Sequence, residues 1–270
     1  MCYYNGCRVT RAEFIRLKNI EKELRGLKLV RPVQNGFDYR DWPIIKPSFD
    51  RKSFDIEQAH WEFIPESVGD EVELQAARKS GYPWLNAKSE NLFKNDKGNR
   101  SMWSDAAMNG RCLVISSHFF EFRHLPIIGK KGQALKQTRK VPYCITLKEK
   151  PFDEFFFMAG IWRQWTNYSR GQSAPTFAIV TQPANNFMAS VHNSAKRMPK
   201  IFADEDSAVR WIKGGQLQMQ VEQMAQERLP SSKMIGWPVA PDFLTKENPE
   251  EPYHYADVPD LVFDGENEAP

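Results

Sequence analysis

No apolar run in this sequence approaches the roughly 18 residues that a membrane-spanning helix needs. The opening stretch, MCYYNGCRVTRAEF, also lacks the apolar core of a secretory signal. The expectation from both absences is a cytoplasmic protein with no membrane partner. Cysteine is scarce, at positions 2, 7, 112 and 144, with no C-x-x-C pair and no zinc-module spacing. Cys112 and Cys144 therefore read as buried, reduced thiols. There is no internal repeat and no low-complexity linker. Nor is charge extreme: a net +3 and a pI near 8.6 allow nucleic acid as a partner without demanding it.

What is present suits one substantial globular unit of 270 residues, 41% apolar and 13% aromatic. The stretch from Glu247 to Pro270 holds many acids and almost no Lys or Arg, so the remaining body is distinctly more basic. The division expected is a domain over 1–245 and an acidic, loosely held tail over 246–270.

Thr10 and Glu13 form a capping box, and Phe14, Leu17 and Leu24 recur at helical spacing up to Gly26, which predicts a helix. The Pro- and aromatic-rich stretch 32–65 reads as short strands and ordered loops. Arg111–Ser116, Val141–Leu147, Phe155–Trp162 and Thr176–Thr181 read as buried strands, with an exposed hairpin excursion over Gly129–Lys140. A helix is expected over Ala184–His192 behind Pro183, and a second over Ser207–Arg228, weakened by Gly214-Gly215. Trp237–Pro241 returns as a strand. Hairpin-length gaps argue for an α+β fold of mainly antiparallel, barrel-like sheets flanked by helices.

Four features carry chemistry. Cys2 follows the initiator methionine, and loss of Met1 would leave an α-amine of ordinary pKa about 7.7–8.0 beside a thiol of about 8.5. Such a pair condenses with an aldehyde, the amine giving a Schiff base and the thiolate closing a thiazolidine. Asn86, in Trp84-Leu85-Asn86-Ala87-Lys88-Ser89-Glu90, can both donate and accept. Glu121, set among aromatics in His118-Phe119-Phe120-Glu121-Phe122, lies where burial would raise a carboxyl pKa and suit it to acid–base work. His192 closes a helix, with Lys196, Arg197, Met198 and Pro199 following. Singly, each has an ordinary structural reading.

Their joint order resembles the SOS-response-associated peptidase family of abasic-site-processing proteins. The resemblance rests on Met1-Cys2, Trp61 to Pro65, Asn86 to Glu90, Arg111-Cys112-Leu113 through Glu121-Phe122, Ala159-Gly160-Ile161-Trp162, and Val191-His192 with Arg197-Met198-Pro199. It covers about residues 1–240. It implies that this chain bonds covalently through Cys2 to abasic sites in single-stranded DNA, and that self-cleavage exposes Cys2. His192 would move a proton at the sugar ring oxygen, Glu121 at the Cys2 amine, and Asn86 would hold the reactants. No metal or organic cofactor is expected, and the chain is expected to act as a monomer. Phosphates would be met by Lys88, Arg197, Arg100 and Arg8, and bases by Trp42 or Trp84.

Several positions depart from the family pattern. Tyr3-Tyr4 replace Gly-Arg, which makes Arg8 a guessed substitute for a phosphate-binding arginine. Lys88 replaces an arginine and loses its bidentate geometry. Four residues, where one is common, separate His192 from Arg197. The long stretch between Pro65 and Trp84 stands where the family has a DNA-wedging aromatic element. Two other readings remain: an N-terminal-nucleophile hydrolase of the glutamine amidotransferase type, and a single-strand-binding module without catalysis. Asn5-Gly6 and Asn35-Gly36 are the only early Asn-Gly pairs the former could use.

Overall fold

The computed structural model describes residues 2–10, 14–18, 20–24, 29–81, 83–152 and 154–263. In chain order its first strands are β1 (Tyr4–Arg8), β2 (Phe14–Leu17), β3 (Ile20–Glu23), β4 (Val30–Asn35), β5 (Asp41–Pro47) and β6 (Phe54–Trp61). Helix α1 (Glu71–Lys79), β7 (Asn86–Lys88) and α2 (Ser104–Asn109) follow. Next come β8 (Arg111–Ser116), β9 (His118–Ile128), β10 (Ala134–Leu147), β11 (Phe156–Asn167) and β12 (Gln172–Pro183). The chain continues with α3 (Asn186–Val191), β13 (Arg197–Pro199), α4 (Glu205–Ile212), α5 (Gln218–Gln226) and β14 (Met234–Pro238).

Strands β11, β8, β5, β6 and β12 pair in that order, and β11 also pairs with β12, so five strands close into a barrel. The uninterrupted apolar run Cys112-Leu113-Val114-Ile115 explains β8, whose residues are all buried. Closure brings backbones together where side chains must be small. A Cβ on Gly160 would lie 2.6 Å from Cys112 Sγ, and one on Gly110 would lie 2.2 Å from the Trp162 carbonyl oxygen. Inside, Trp61 sits between Trp42 and Phe177, at ring-centroid distances of 6.1 and 6.3 Å. Each indole satisfies its N–H, Trp42 donating to the Ile115 carbonyl and Trp61 to that of Leu85. Trp42 is thus part of the core and offers no face to a base, contrary to the expectation; Trp84 is half-buried against the same core.

The second sheet runs β14-β10-β9-β1-β4, with β1 antiparallel to both neighbours. On it lies a satellite cluster of Phe120, Cys144, Val239 and Phe243, joined by Tyr4, Phe122 and Trp237. β1 needs a glycine at its middle, since a Cβ on Gly6 would meet the His118 ring at 2.0 Å. That ring is fixed, with Nε2 2.7 Å from the Pro32 carbonyl and Nδ1 2.8 Å from the Ser117 hydroxyl.

Three expectations need correction. The predicted helix over 10–26 is, in its described part, the β2–β3 hairpin, because Ile15 and Leu17 are buried while Arg16 and Lys18 are exposed, a period of two. Glu13 of the capping box and Gly26 of the expected stop fall outside the described residues. The helix expected over 207–228 is two helices, α4 and α5, because Gly215 takes φ +89° and a Cβ on Gly214 would strike Arg51. The tail is docked rather than loose up to residue 263. Trp237 donates to the Glu250 carbonyl, Arg139 pairs with Asp257, and the Phe263 ring meets Phe187 of α3 at 5.3 Å. The long stretch after Pro65 forms α1, capped by Asp70 and tied down by Arg78, which pairs with buried Glu62 and lies 3.8 Å over the Tyr39 ring. Among the described residues no helix is long and apolar enough to cross a membrane.

Candidate active site

Because β1 is flanked by β9 and β4 within its sheet, Cys2 is delivered to the interior rather than to a free end. Tyr4 pairs with Phe120 on one side and Asn35 on the other, and the Tyr3 carbonyl accepts from the Gly36 N–H at 2.7 Å. Glu121 follows Phe120 on β9 and so lies beside the segment that carries Cys2. Cys2 is fully buried, and burial, reinforced by the charge of Glu121, pushes its thiol well above the ordinary cysteine range. Glu121 is buried too, and desolvation raises its carboxyl to about 7.

His192 reaches the same place from α3. Asn185 caps this helix by accepting from the Met188 N–H, and its own amide donates to the Leu229 carbonyl, so the helix is anchored at its start. His192 is the C-cap. Its Nδ1 lies 2.9 Å from the Arg197 carbonyl, which can only accept, so Nδ1 carries the proton and Nε2 presents its lone pair. Nε2 stands 3.8 Å from Glu121 Oε2, beyond direct hydrogen bonding. Burial lowers the imidazole to about 4, which keeps it neutral at pH 7.

The four-residue spacer before Arg197 folds back on His192. Lys196 takes a left-handed φ of 49° and donates its N–H back to the His192 carbonyl. The Asn193 amide accepts from the His124 N–H at 2.9 Å and donates to the His124 carbonyl at 2.8 Å, pinning the loop to β9. Sequence reasoning missed Asn193; an amide inside an extra loop segment was the available signal.

Asn86 arrives on β7, which runs parallel to β12 with Asn86 opposite Ile179. Both Oδ1 and Nδ2 are buried, and among the described residues neither has a hydrogen-bond partner. An orphaned buried amide costs about 1–3 kcal/mol, so it marks a place where a bound group would be favoured. Arg197, buried in β13, grips Glu90 with two nitrogens and donates to the Thr181 carbonyl at 2.7 Å. That pair ties the Asn86–Glu90 stretch to the His192–Arg197 loop. Lys88 is exposed, with no carboxylate paired to it among the described residues.

Two expected phosphate contacts lie elsewhere. Arg8 Nε pairs with Glu250 at 2.5 Å, and its Nη2 donates to the Glu247 carbonyl at 2.8 Å and to Asn248, so the docked tail occupies this guanidinium. Arg8 is therefore no substitute for a free phosphate-binding arginine. Arg100 is exposed and lines a cleft with Asp105, Asn109 and Trp162, in which none of Cys2, Asn86, Glu121 or His192 takes part. The Met1–Cys2 peptide bond, expected near those four side chains, involves Met1 and lies outside the described residues. Among the described residues no group of three His, Cys, Asp or Glu could hold a metal ion.

The sequence matches the family model described as SOS response associated peptidase over residues 1–244. A solved protein from Bacteroides thetaiotaomicron superposes with a TM-score of 0.65 at 26% identity, covering 82% of each chain. A protein from Bordetella bronchiseptica gives 0.59 at 15% identity, covering 88% of this chain and all of its own. A phage-related protein from the same organism gives 0.58 at 18% identity, over 88% and 94%. The two Bordetella likenesses establish fold only. No curated protein matches the sequence.

Proposed function

We propose, for a chain that belongs to the SOS response associated peptidase family, that Cys2, once Met1 is removed, captures abasic sites in single-stranded DNA as a covalent adduct. Hydrolysis of the Met1–Cys2 bond consumes one water and frees the α-amine. An abasic deoxyribose is mostly a closed hemiacetal. Opening it breaks the C1′–O4′ bond, with a proton leaving the C1′ hydroxyl and one arriving at O4′. Neutral His192, with Nε2 unprotonated and its other nitrogen held by a carbonyl, is suited to relay that proton.

The Cys2 amine then adds to the C1′ aldehyde, giving a carbinolamine that loses water to form the imine. Glu121, with a pKa near 7, is partly protonated at neutral pH, so it can donate to the leaving hydroxyl and accept from the amine. The thiol adds to the imine carbon, its proton passes to nitrogen, and a thiazolidine closes. The sum is aldehyde plus aminothiol giving thiazolidine plus one water. Asn86 supplies an unpartnered donor and acceptor to hold the amine or a sugar hydroxyl. Holding the reactants together replaces an encounter by an intramolecular step, worth several kcal/mol. Lys88 offers an exposed cation to a phosphate, while Arg197 acts on position through Glu90. The phosphate contacts carry no base information, so recognition is indifferent to sequence.

The observation that carries this reading is the meeting of a buried N-terminal cysteine with a carboxyl held near pKa 7 and a neutral histidine. The test is a denaturing gel with single-stranded DNA bearing one abasic site. Protein whose mature chain begins at Cys2 should give a heat-stable protein–DNA band. Such protein giving no band, yet hydrolysing glutamine, would transfer the reading to the amidotransferase type. Reversible binding alone would leave a single-strand-binding module.

A further inference from the structure

The hairpin of β9 and β10 extends beyond the sheet that carries it. Between positions 123 and 140 it holds Arg123, Lys130, Lys131, Lys136, Arg139 and Lys140 and not one Asp or Glu. These six cations outnumber the whole chain's net charge of +3, so the rest of the protein is net acidic. The hairpin is exposed from Pro126 to Lys140 apart from half-buried Gly129 and Arg139. The tail engages Arg139 through Asp257 and Arg123 through the Pro259 carbonyl. Among the described residues Lys130, Lys131, Lys136 and Lys140 pair with no carboxylate. Like charges left together on a two-stranded ribbon repel one another, and an anionic partner would relieve that.

We propose that this arm is a binding surface for double-stranded DNA, entering its major groove and meeting the phosphates on both walls. Two features favour a duplex over a single strand. From Arg123 to Lys140 there is no Phe, Tyr or Trp, so unstacked bases find no platform. Neighbouring side chains such as Arg139 and Lys140 project to opposite faces, as a ribbon inside a groove about 12 Å wide requires. From Arg123 to the Lys130–Lys131 turn the arm reaches about 20–25 Å, or some six to seven base pairs at about 3.4 Å each.

Its root is rigid: β9 also bears Glu121, and the His124 backbone is clamped by Asn193, next to His192. The strand that roots the arm is therefore the one that carries Glu121 of the proposed site. The affinity itself is separate from the Cys2 chemistry, and only its use in presenting lesions rests on the proposed function.

The test compares the full chain with a variant carrying K130Q, K131Q, K136Q and K140Q, on an undamaged blunt DNA duplex at several salt concentrations. At about 0.9 per phosphate contact, the slope of log affinity against log salt should be shallower by about 2–4 in the variant, with affinity near 0.1 M salt at least tenfold weaker. Crosslinking to abasic single strands should persist in the variant, which also reports that it folds. An unchanged slope overturns the proposal. So does an equal loss on duplex RNA, whose deep, narrow major groove excludes a ribbon, and so does a wild-type chain that ignores duplex DNA but binds anionic phospholipid vesicles. A chain that crosslinks abasic single strands but shows no arm effect refutes the arm alone. One that binds duplex through the arm but never crosslinks refutes the Cys2 reading alone.

Discussion

His192 Nε2 faces Glu121 Oε2 across 3.8 Å, while the opposite ring nitrogen is bound to the Arg197 carbonyl. Burial moves the two groups in opposite directions on the pH scale, the carboxyl up to about 7 and the imidazole down to about 4. Near neutrality the pair thus exchanges a proton on the carboxyl while the imidazole stays uncharged. One group is suited to protonate a leaving hydroxyl and the other to accept from a sugar, with the carboxyl 3.8 Å away to offset the imidazolium that this creates.

This division has a consequence for stability. Glu121 binds its proton more tightly folded than unfolded, so its contribution is complete below its unfolded pKa of about 4.5 and is lost as pH rises through about 7. His192 does the reverse: its contribution is present above about 6.5 and lost as pH falls through about 4. Glu121→Gln, which cannot ionise, should gain on wild type by up to about 3 kcal/mol between pH 5 and pH 8. Urea unfolding at the two pH values measures this; a difference that stays constant refutes the raised carboxyl.

Asn86 separates function from folding. Its buried amide has no partner, so Asn86→Leu should leave stability unchanged or raise it by about 1–2 kcal/mol. The same variant should crosslink abasic DNA at least tenfold more slowly. A variant that loses stability and keeps its rate would make Asn86 a structural residue.

Cys2→Ala should abolish the heat-stable adduct and leave non-covalent single-strand affinity nearly intact. Cys112 and Cys144 are buried thiols, pushed above the ordinary range by burial. Their alanine variants should retain the adduct wherever they fold. An adduct that survives Cys2→Ala but disappears in folded Cys112→Ala reverses the assignment.

Lys88 and Arg8 should differ in their response to salt. Lys88→Ala removes an exposed cation at the end of β7 and should make the single-strand salt slope shallower by about 0.7. Arg8→Ala should leave that slope alone, because its guanidinium is held by the tail. A double-mutant cycle between Arg8 and Glu250 should give a coupling of about 0.5–1 kcal/mol. Anisotropy titrations check the first two; a slope that follows Arg8 and not Lys88 would reassign the phosphate contacts.

Much of the barrel was legible in local chemistry. The apolar run Cys112-Leu113-Val114-Ile115 reads as a strand buried on both faces, and β8 covers the expected Arg111–Ser116, one residue beyond that run at each end. The helix expected over Ala184–His192 is present as α3, but its Asn185 cap and the close approaches at Gly110 and Gly160 came only with the structure. Short amphipathic pieces were less legible. Phe14, Leu17 and Leu24 fit a helical period, but Ile15 and Leu17 fit an alternating one equally well, and which period wins depends on the surface available to cover them. The tail looked unattached because its acids, prolines and few apolar residues have no periodicity. Its partners, Arg8, Arg139 and Phe187, are far away in sequence.

The sequence by itself determined which side-chain groups the protein owns: a thiol at position 2, an amide at 86, a carboxyl at 121 and an imidazole at 192. It also determined the family motifs that hold them in order. Only the tertiary structure decided what those groups are. Glu121 is an ordinary carboxylate until β9 buries it beside the N-terminal strand, and His192 is an ordinary surface histidine until the Asn193 clamp and the Arg197 carbonyl select its tautomer. The free energy of a charge is set by the medium and neighbours around it. Those neighbours come from segments up to 190 positions apart, a separation that local spacing cannot encode.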